Sequence, residues 1–305
     1  MDEAMFTSAD GIEVFYRRWR PDGRQRGTLL IAHGASEHSG RYARFASVLT
    51  AAGFGVYALD QRGHGRTGKS SGPGRMGAIG QRGLLDDLAE LERRARSEAP
   101  GAPLVLFGHS MGSLIAQAYA EQRGGELAGL VLSGSLGILD GFAEIAAGLE
   151  AAVAAGQGDE ALNLLGGFNA AFEPARTRFD WLSRDPIEVD AYIADPFCGD
   201  SWPLTNGYMA QIFGMAMTAM SEASIAQLSK RLPVLLITGE ADPASNMAVQ
   251  VRELEKLLRA AGLAVTANYY SEARHELLNE TNRDEVHADV VAWLERVLAV
   301  DSPTA

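Results

Sequence analysis

The 305-residue chain is poor in cysteine and in basic residues. Cys198 is the one cysteine, which excludes an internal disulfide and fits a reducing compartment. Because 27 Lys and Arg face 39 Asp and Glu, the net charge of −12 opposes binding to nucleic acid or to anionic lipid surfaces. No cysteine pairs or spaced histidine clusters occur, so the sequence predicts no metal site and no other cofactor.

Long apolar runs are absent as well. No window of 18 or more apolar residues occurs, so we expect no transmembrane segment. The N-terminal sequence MDEAMFTSADG carries acidic residues where an export signal needs Lys or Arg, and no apolar core follows it. We therefore expect a cytoplasmic protein. The sequence leaves its oligomeric state open.

Strand-like and helix-like segments alternate along most of the chain, whose 47% hydrophobic and 22% charged residues are ordinary for a globular protein. Buried strands that alternate with helices predict an α/β fold with a mostly parallel sheet and helices on both faces. Strands are predicted at 12–19, 27–34, 54–60, 127–135, 233–242 and 264–270, with another from Leu104, and helices at 42–53, 84–97, 247–262 and 284–300.

The alternation stops between 136 and 224, where the chain is rich in Ala, Gly, Met and aromatic residues and has no convincing strand. This segment is too long for a connecting loop. It predicts a helical cap inserted into one core domain, which comprises 1–135 and 225–305.

The run LVLFGHSMG (104–112) places Ser110 between two glycines, after an apolar strand and before a helical segment. Such a sharp strand-to-helix turn exposes a serine hydroxyl at the edge of a sheet, where the positive end of the helix favours a developing oxyanion. Ser110 is therefore the candidate nucleophile.

A serine nucleophile needs a histidine to accept its proton and a carboxylate to orient that histidine. The chain order serine, acid, histidine of α/β-hydrolases leaves His275 and His287 as bases. His275 lies in a predicted turn after the last strand, whereas His287 lies within a polar helix, so we favour His275. Asp242 follows the strand PVLLITG and is the favoured acid, although helix capping is the alternative role. The other candidate acids, Asp195 and Asp200, lie in the insertion.

Two further loops border the predicted site. His33 and Gly34 end a strand in HGASEHSGRY, so the backbone N–H of Ala35 is expected to join that of Met111 in an oxyanion hole. The loop at 60–72 lacks P-loop spacing, and its Asp60, Arg62 and His64 are interpreted as structural.

The motifs HGASEHSGRY, DQRGHG, GHSMG, GEADP and RHELLNE together resemble the monoacylglycerol lipase and lysophospholipase-like branch of the serine α/β-hydrolases. The resemblance covers nearly the whole chain. It implies an α/β-hydrolase fold, a triad of Ser110, Asp242 and His275, oxyanion donors at Ala35 and Met111, and a helical cap over an acyl pocket.

The acyl pocket is predicted from the cap, where methionine suits a wall that must adapt to chains of different length. Ordinary core packing is the alternative interpretation. The predicted lining residues are Met209, Ile212, Phe213, Met215, Met217 and Cys198.

The leading functional hypothesis is hydrolysis of monoacyl lipid esters through an acyl-serine intermediate. Any contact with lipid surfaces is expected to be transient and to occur through the cap. A lysophospholipase or a general short- or medium-chain carboxylesterase is the enzymatic alternative. A non-catalytic hydrolase fold that serves as a small-molecule receptor is the alternative from another class. Labelling by a fluorophosphonate separates an enzyme from a receptor.

Overall fold

An eight-stranded sheet forms the centre of the computed structural model, which describes residues 1–137, 141–162 and 165–300. Its strands in chain order are β1 (Asp2–Thr7), β2 (Glu13–Trp19), β3 (Gly27–Ala32), β4 (Phe54–Leu59), β5 (Leu104–His109), β6 (Gly129–Ser133), β9 (Val234–Gly239) and β10 (Val265–Tyr270). A separate antiparallel pair comprises β7 (Ala161–Leu162) and β8 (Leu204–Thr205).

The spatial order of the large sheet is β1-β2-β4-β3-β5-β6-β9-β10. Strand β2 pairs antiparallel with β1 and with β4, while every pair from β4 to β10 is parallel. The predicted mostly parallel sheet is therefore confirmed.

Helices cover both faces of this sheet, as predicted. The helices are α1 (Ala43–Ala51), α2 (Gly68–Ser71), α3 (Gln81–Glu98), α4 (Met111–Arg123), α5 (Phe142–Ala154), α6 (Pro186–Ala194), α7 (Asn206–Ala219), α8 (Glu222–Ile225), α9 (Val249–Ala260) and α10 (Arg283–Val300). One apolar core lies beneath α1 and α10, and another lies beneath α3, α4 and α9.

Strand β3 shows why the strands read as continuous apolar runs. Leu29 and Ile31 face the core beneath α1 and α10, whereas Leu30 and Ala32 face the core on the other side. Because side chains alternate across a strand, a strand buried on both faces needs apolar residues at every position. Full burial of each Leu or Ile stabilises the fold by roughly 1.5–3 kcal/mol.

The sequence did not predict β1, the edge strand formed by Asp2–Thr7. Among its residues only Phe6 is buried, so no apolar run marks it. Pairing with β2 over six residue pairs supplies the backbone hydrogen bonds that make it a strand.

The chain between β6 and β9 holds α5 to α8 together with the short pair β7–β8. Helix α7 packs on the core helix α4, where the Gln117 side chain donates to the carbonyl of Ala219 at 2.9 Å. The β7–β8 pair has two residues in each strand, too short for the sequence pattern to reveal. Within the described ranges, no helix combines the length and apolar character needed to cross a membrane.

Candidate active site

Three parallel strands bring the predicted catalytic side chains to one edge of the sheet. Ser110 directly follows β5, Asp242 follows β9 by three residues, and His275 follows β10 by five. Since these strands run in the same direction, the chain segments after their carboxyl ends meet on the same side.

Ser110 occupies a strained turn. Its φ of 51° lies in the left-handed region that non-glycine residues rarely adopt, at a cost of roughly 1–3 kcal/mol. A Cβ on Gly108 would lie 2.3 Å from the Gly112 carbonyl oxygen, and one on Gly112 would lie 2.1 Å from the Ala32 carbonyl oxygen. Both glycines are therefore needed for the close packing of α4 against β5 and β3 that holds Ser110 in the turn.

His275 and Asp242 form a buried pair. The Nδ1 of His275 lies 2.9 Å from Oδ2 of Asp242, and the two side chains are 2% and 0% exposed. The other Asp242 oxygen accepts a hydrogen bond from the Ala244 amide at 2.9 Å. Asp242 thus caps the 3₁₀ turn Pro243–Ser245 and also orients a histidine, so the two alternatives that the sequence left open coexist.

The surroundings of His275 favour its protonated form. Burial lowers its pKa, but the charge of Asp242 and its hydrogen bond outweigh burial and hold the pKa above the ordinary value of 6.5. The ring of Trp181 lies 4.8 Å from the His275 ring, and that of His109 lies 5.0 Å away. Burial, together with His275, lowers the pKa of His109 to about 4, so His109 stays neutral near pH 7.

The less favoured candidates for base and acid lie in other surroundings. His287 is buried against the Phe45 ring, and its Nε2 lies 3.2 Å from the Leu278 carbonyl oxygen, so it packs within the core. Asp195 lies 2.9 Å from His38, and Asp200 lies 2.8 Å from Arg178. The described contacts of these carboxylates do not include His275.

The loop after β3 carries a charge network that the sequence analysis missed. Glu37 accepts hydrogen bonds from the Gly34 amide at 2.5 Å and from Arg41 at 3.0 Å, and Arg41 binds both oxygens of Glu276 at 2.5 and 2.7 Å. Burial raises the pKa of Glu37, but Arg41, the neighbouring histidines and the Gly34 amide together outweigh burial, and the pKa falls to about 2.

This network fixes the segment that precedes Ala35. The sequence carries one signal of this network: the motifs HGASEHSGRY and RHELLNE contain the charged residues Glu37, Arg41 and Glu276, and a loop that only connects two elements does not require these charges. Arg41 and Glu276 are 235 residues apart, so no local sequence pattern could indicate that they pair.

A cavity of about 430 Å³ opens beside Ser110, within the size range of ligand pockets. Ala35, Met111 and His275 line it together with Ser110. Met111 is the first residue of α4, so its N–H lacks an intrahelical partner. The apolar wall of the cavity includes Leu114, Leu136, Leu162, Phe168, Trp181, Leu204, Met209 and Phe213.

The predicted pocket residues divide into two groups. Met209 and Phe213 line the cavity. The structure places the other four elsewhere: Ile212 and Cys198 are buried in apolar clusters, Met215 borders a separate groove beside α3 and α4, and Met217 is 41% exposed. Each turn of α7 presents one face to the cavity and another to α4 or solvent, which accounts for Ile212, Met215 and Met217. Cys198 packs against α6.

The loop at 60–64 has a structural role in the fold. Arg62 is fully buried and binds Asp10 and Asp87, each at 2.7 Å. Asp60 accepts a hydrogen bond from the Ser39 amide at 2.9 Å, and His64 is fully buried. These contacts fasten the loop to the turn between β1 and β2, to α3 and to the loop after β3, as the structural interpretation expected.

The family of the chain follows from its similarity to known proteins. Residues 23–282 match the family described as serine aminopeptidase, S33. The monoacylglycerol lipase of Mycolicibacterium smegmatis is 31% identical over 96% of both chains, and human monoglyceride lipase is 33% identical over 77% of this chain and 71% of its own.

Among solved structures, a thermostable carboxyl esterase from Bacillus coagulans in complex with glycerol superposes with a TM-score of 0.91 and 29% identity, over 97% of this chain and 98% of its own. The monoacylglycerol lipase of Paleococcus ferrophilus superposes at 0.70 and 27%, over 93% and 98%. The chain therefore belongs to the serine aminopeptidase S33 family of α/β-hydrolases and, within it, is a serine ester hydrolase related to the monoacylglycerol lipases.

Proposed function

We propose that this protein hydrolyses monoacylglycerols and similar monoacyl lipid esters, with Ser110 as nucleophile, His275 as base and Asp242 as the orienting acid. One observation carries the proposal: Ser110 and His275 line the same apolar cavity, and the buried Asp242 holds the ring nitrogen of His275 that faces away from the reaction. This arrangement supplies nucleophile, base and acyl site in one place.

The reaction begins when the Ser110 hydroxyl adds to the ester carbonyl carbon while Nε2 of His275 takes its proton. The negative charge that develops on the carbonyl oxygen is stabilised by the N–H groups of Ala35 and Met111, and one such donor contributes about 3 kcal/mol to lowering the barrier. Asp242 keeps the proton of His275 on Nδ1 and stabilises the imidazolium.

Collapse of the intermediate expels the alcohol, which takes its proton from His275, and leaves an acyl ester on Ser110. A water molecule then gives its proton to His275 and attacks the acyl carbon. His275 returns this proton to the Ser110 oxygen as the bond between that oxygen and the acyl carbon breaks. This releases the fatty acid and restores the enzyme.

The apolar cavity is proposed to hold the acyl chain. Leu, Phe, Trp and Met side chains form most of its wall, and each buried methylene of the substrate contributes up to about 0.8 kcal/mol. Single acyl chains of medium length suit one cavity of this size.

The alcohol is proposed to leave on the polar side of Ser110. A second cavity of about 20 Å³ lies there, lined by Glu37, Tyr192, His275 and Glu276 among others. It has room for about one hydroxyl group or water, so it favours a small polar alcohol with a hydroxyl near the ester. Glycerol meets this requirement.

The proposal is tested with a fluorophosphonate probe and a panel of esters. The wild-type chain should be labelled once and the Ser110→Ala chain not at all. The panel compares monoacylglycerols, lysophosphatidylcholines and p-nitrophenyl esters of two to ten carbons, and monoacylglycerols should give the highest kcat/KM. Labelling without turnover of any ester would refute the proposed function, as would unchanged labelling of Ser110→Ala.

An amino-acid p-nitroanilide belongs in the same panel, because the family of the chain is described as serine aminopeptidase. A substrate ammonium group would need an unpaired carboxylate in the cavity, but Asp200, the one acidic residue among the described residues of its wall, is paired with Arg178. We expect no measurable release of nitroaniline. Release faster than ester hydrolysis would contradict the assignment to esters.

A further inference from the structure

Three potential metal ligands meet where the loop after β3 touches the insertion. Nε2 of His38 lies 2.9 Å from Oδ2 of Asp195, and the donor atoms of His38, Asp195 and Cys198 all lie within 4.8 Å of one another. His38 and Asp195 are 157 residues apart, so no local sequence pattern indicates this cluster.

The backbone holds two of these ligands in a tight turn. The Asp195 side chain accepts a hydrogen bond from the Phe197 amide at 2.9 Å through its other oxygen, and the Cys198 amide donates to the Asp195 carbonyl at 3.1 Å. This leaves Oδ2 of Asp195 directed at His38. His38 and Asp195 are 12% and 27% exposed, so an ion can reach the cluster from solvent, while Cys198 forms its buried side.

Two of the three ligands supply negative charge to a divalent cation. Asp195 contributes a carboxylate, and Cys198 contributes a thiolate once the ion has displaced the thiol proton.

We propose that His38, Asp195 and Cys198 bind a zinc ion that fastens the insertion to the loop carrying Ala35. One nitrogen, one oxygen and one sulfur ligand suit Zn²⁺, with water in the fourth position. Tetrahedral zinc places its donor atoms roughly 3.3–3.6 Å apart. The donor atoms of His38 and Asp195, 2.9 Å apart, must therefore separate slightly, whereas the widest spacing in the cluster, at most 4.8 Å, must shorten by up to about 1 Å. The proposal does not depend on the proposed ester chemistry.

Two protons move when the ion binds. The Cys198 thiol releases its proton to solvent. The Gly40 amide donates to Nδ1 of His38 at 3.2 Å, which leaves the ring proton on Nε2, facing Asp195. Binding through Nε2 requires this proton to shift to Nδ1, and Gly40 then loses its acceptor. The adjustment is local because Gly40 lies two residues from His38.

Binding to the site would couple two segments that already touch. The Gly199 amide and the Tyr192 hydroxyl both donate to the Ser36 carbonyl at 3.0 Å. An ion held by His38 on one side and by Asp195 and Cys198 on the other adds a third link. Because it binds the folded chain only, zinc should raise the melting temperature.

The experiment uses the full chain after removal of metal by a chelator. Titration with Cd²⁺ should give the ultraviolet charge-transfer band of a metal thiolate, and since Cys198 is the one cysteine, the band identifies its ligand. Zn²⁺ should raise the melting temperature and bind at one site by calorimetry. Ser110→Ala should behave as the wild type does, which separates this test from that of the catalytic role.

Cys198→Ser should abolish the band, and Asp195→Asn should weaken zinc binding by at least about tenfold. Asp195→Asn also serves if the buried Cys198→Ser chain does not fold. Asp190→Asn is the matched control, because Asp190 is an exposed carboxylate in the same insertion that pairs with Arg176. The proposal is refuted if the wild type shows no band and no zinc-dependent stabilisation, or if Asp190→Asn and Asp195→Asn lose the same affinity.

Discussion

Replacing Asp242 by Asn tests how the structure controls the proton on His275. The new amide can face its two partners in only two ways. With its oxygen on the Ala244 N–H, its NH₂ group faces Nδ1 of His275, which must then accept and carry its proton on Nε2. In that tautomer, His275 cannot take a proton from Ser110.

The opposite orientation restores the useful tautomer but places the NH₂ group against the Ala244 N–H. Two buried donors would then face each other, which costs about 1–3 kcal/mol and lowers the fraction of active tautomer by roughly 5- to 150-fold. Loss of the carboxylate charge beside the imidazolium lowers the rate further. We expect a total loss of about 10⁴-fold in kcat, or about 5 kcal/mol in the barrier.

The assay is steady-state hydrolysis of p-nitrophenyl butyrate, with the melting temperature measured on the same samples. Because the cap on Ala244 survives in the favoured orientation, the Asp242→Asn chain should stay folded. Asp200→Asn is the matched control, because Asp200 is an aspartate in the wall of the cavity beside Ser110. Its kcat should stay within about tenfold of the wild-type value. The reasoning fails if Asp242→Asn retains a tenth of wild-type kcat or if Asp200→Asn loses as much.

Three further predictions concern pH, the cavity and the turn. The kcat/KM of the wild type should rise with pH through one ionisation with a midpoint above 6.5, because only neutral His275 accepts a proton and its pKa is raised. A midpoint below about 6 would contradict the assignment of this ionisation to His275. The stability that His275 contributes should be full below pH 6.5 and be lost as pH rises through the folded pKa, which thermal melts across pH can measure. Met209→Trp should lower kcat/KM by up to about fourfold for each acyl methylene that the new side chain excludes from the cavity. Met217→Trp, at a 41% exposed position, should leave the dependence of kcat/KM on acyl-chain length unchanged. The same dependence in both variants would argue against the cavity as the acyl site. Gly112→Ala should destabilise the fold by at least about 2 kcal/mol, because the new Cβ would meet the Ala32 carbonyl at 2.1 Å, and a melting temperature equal to that of the wild type would disprove that contact.

Features set by neighbouring residues could be predicted from the sequence. Alternating apolar strands and helical spacing predicted the sheet and its helices, because these patterns have local periods. The turn around Ser110 was predictable for the same reason, since glycines at 108 and 112 permit the close packing that bends the chain. Chain order then limited the base to two histidines, and the position of Asp242 directly after a predicted strand favoured it as the acid over Asp195 and Asp200.

Features that join distant segments were decided by the tertiary structure alone. The Glu37–Arg41–Glu276 network and the cluster of His38, Asp195 and Cys198 each link the loop after β3 to a segment more than 150 residues away. Which methionines of α7 face the cavity was equally hidden, because composition shows that a helix is apolar all round but not which neighbour covers each face. Only packing of the insertion against α4 and the sheet places Met209 in the cavity and Met217 in solvent.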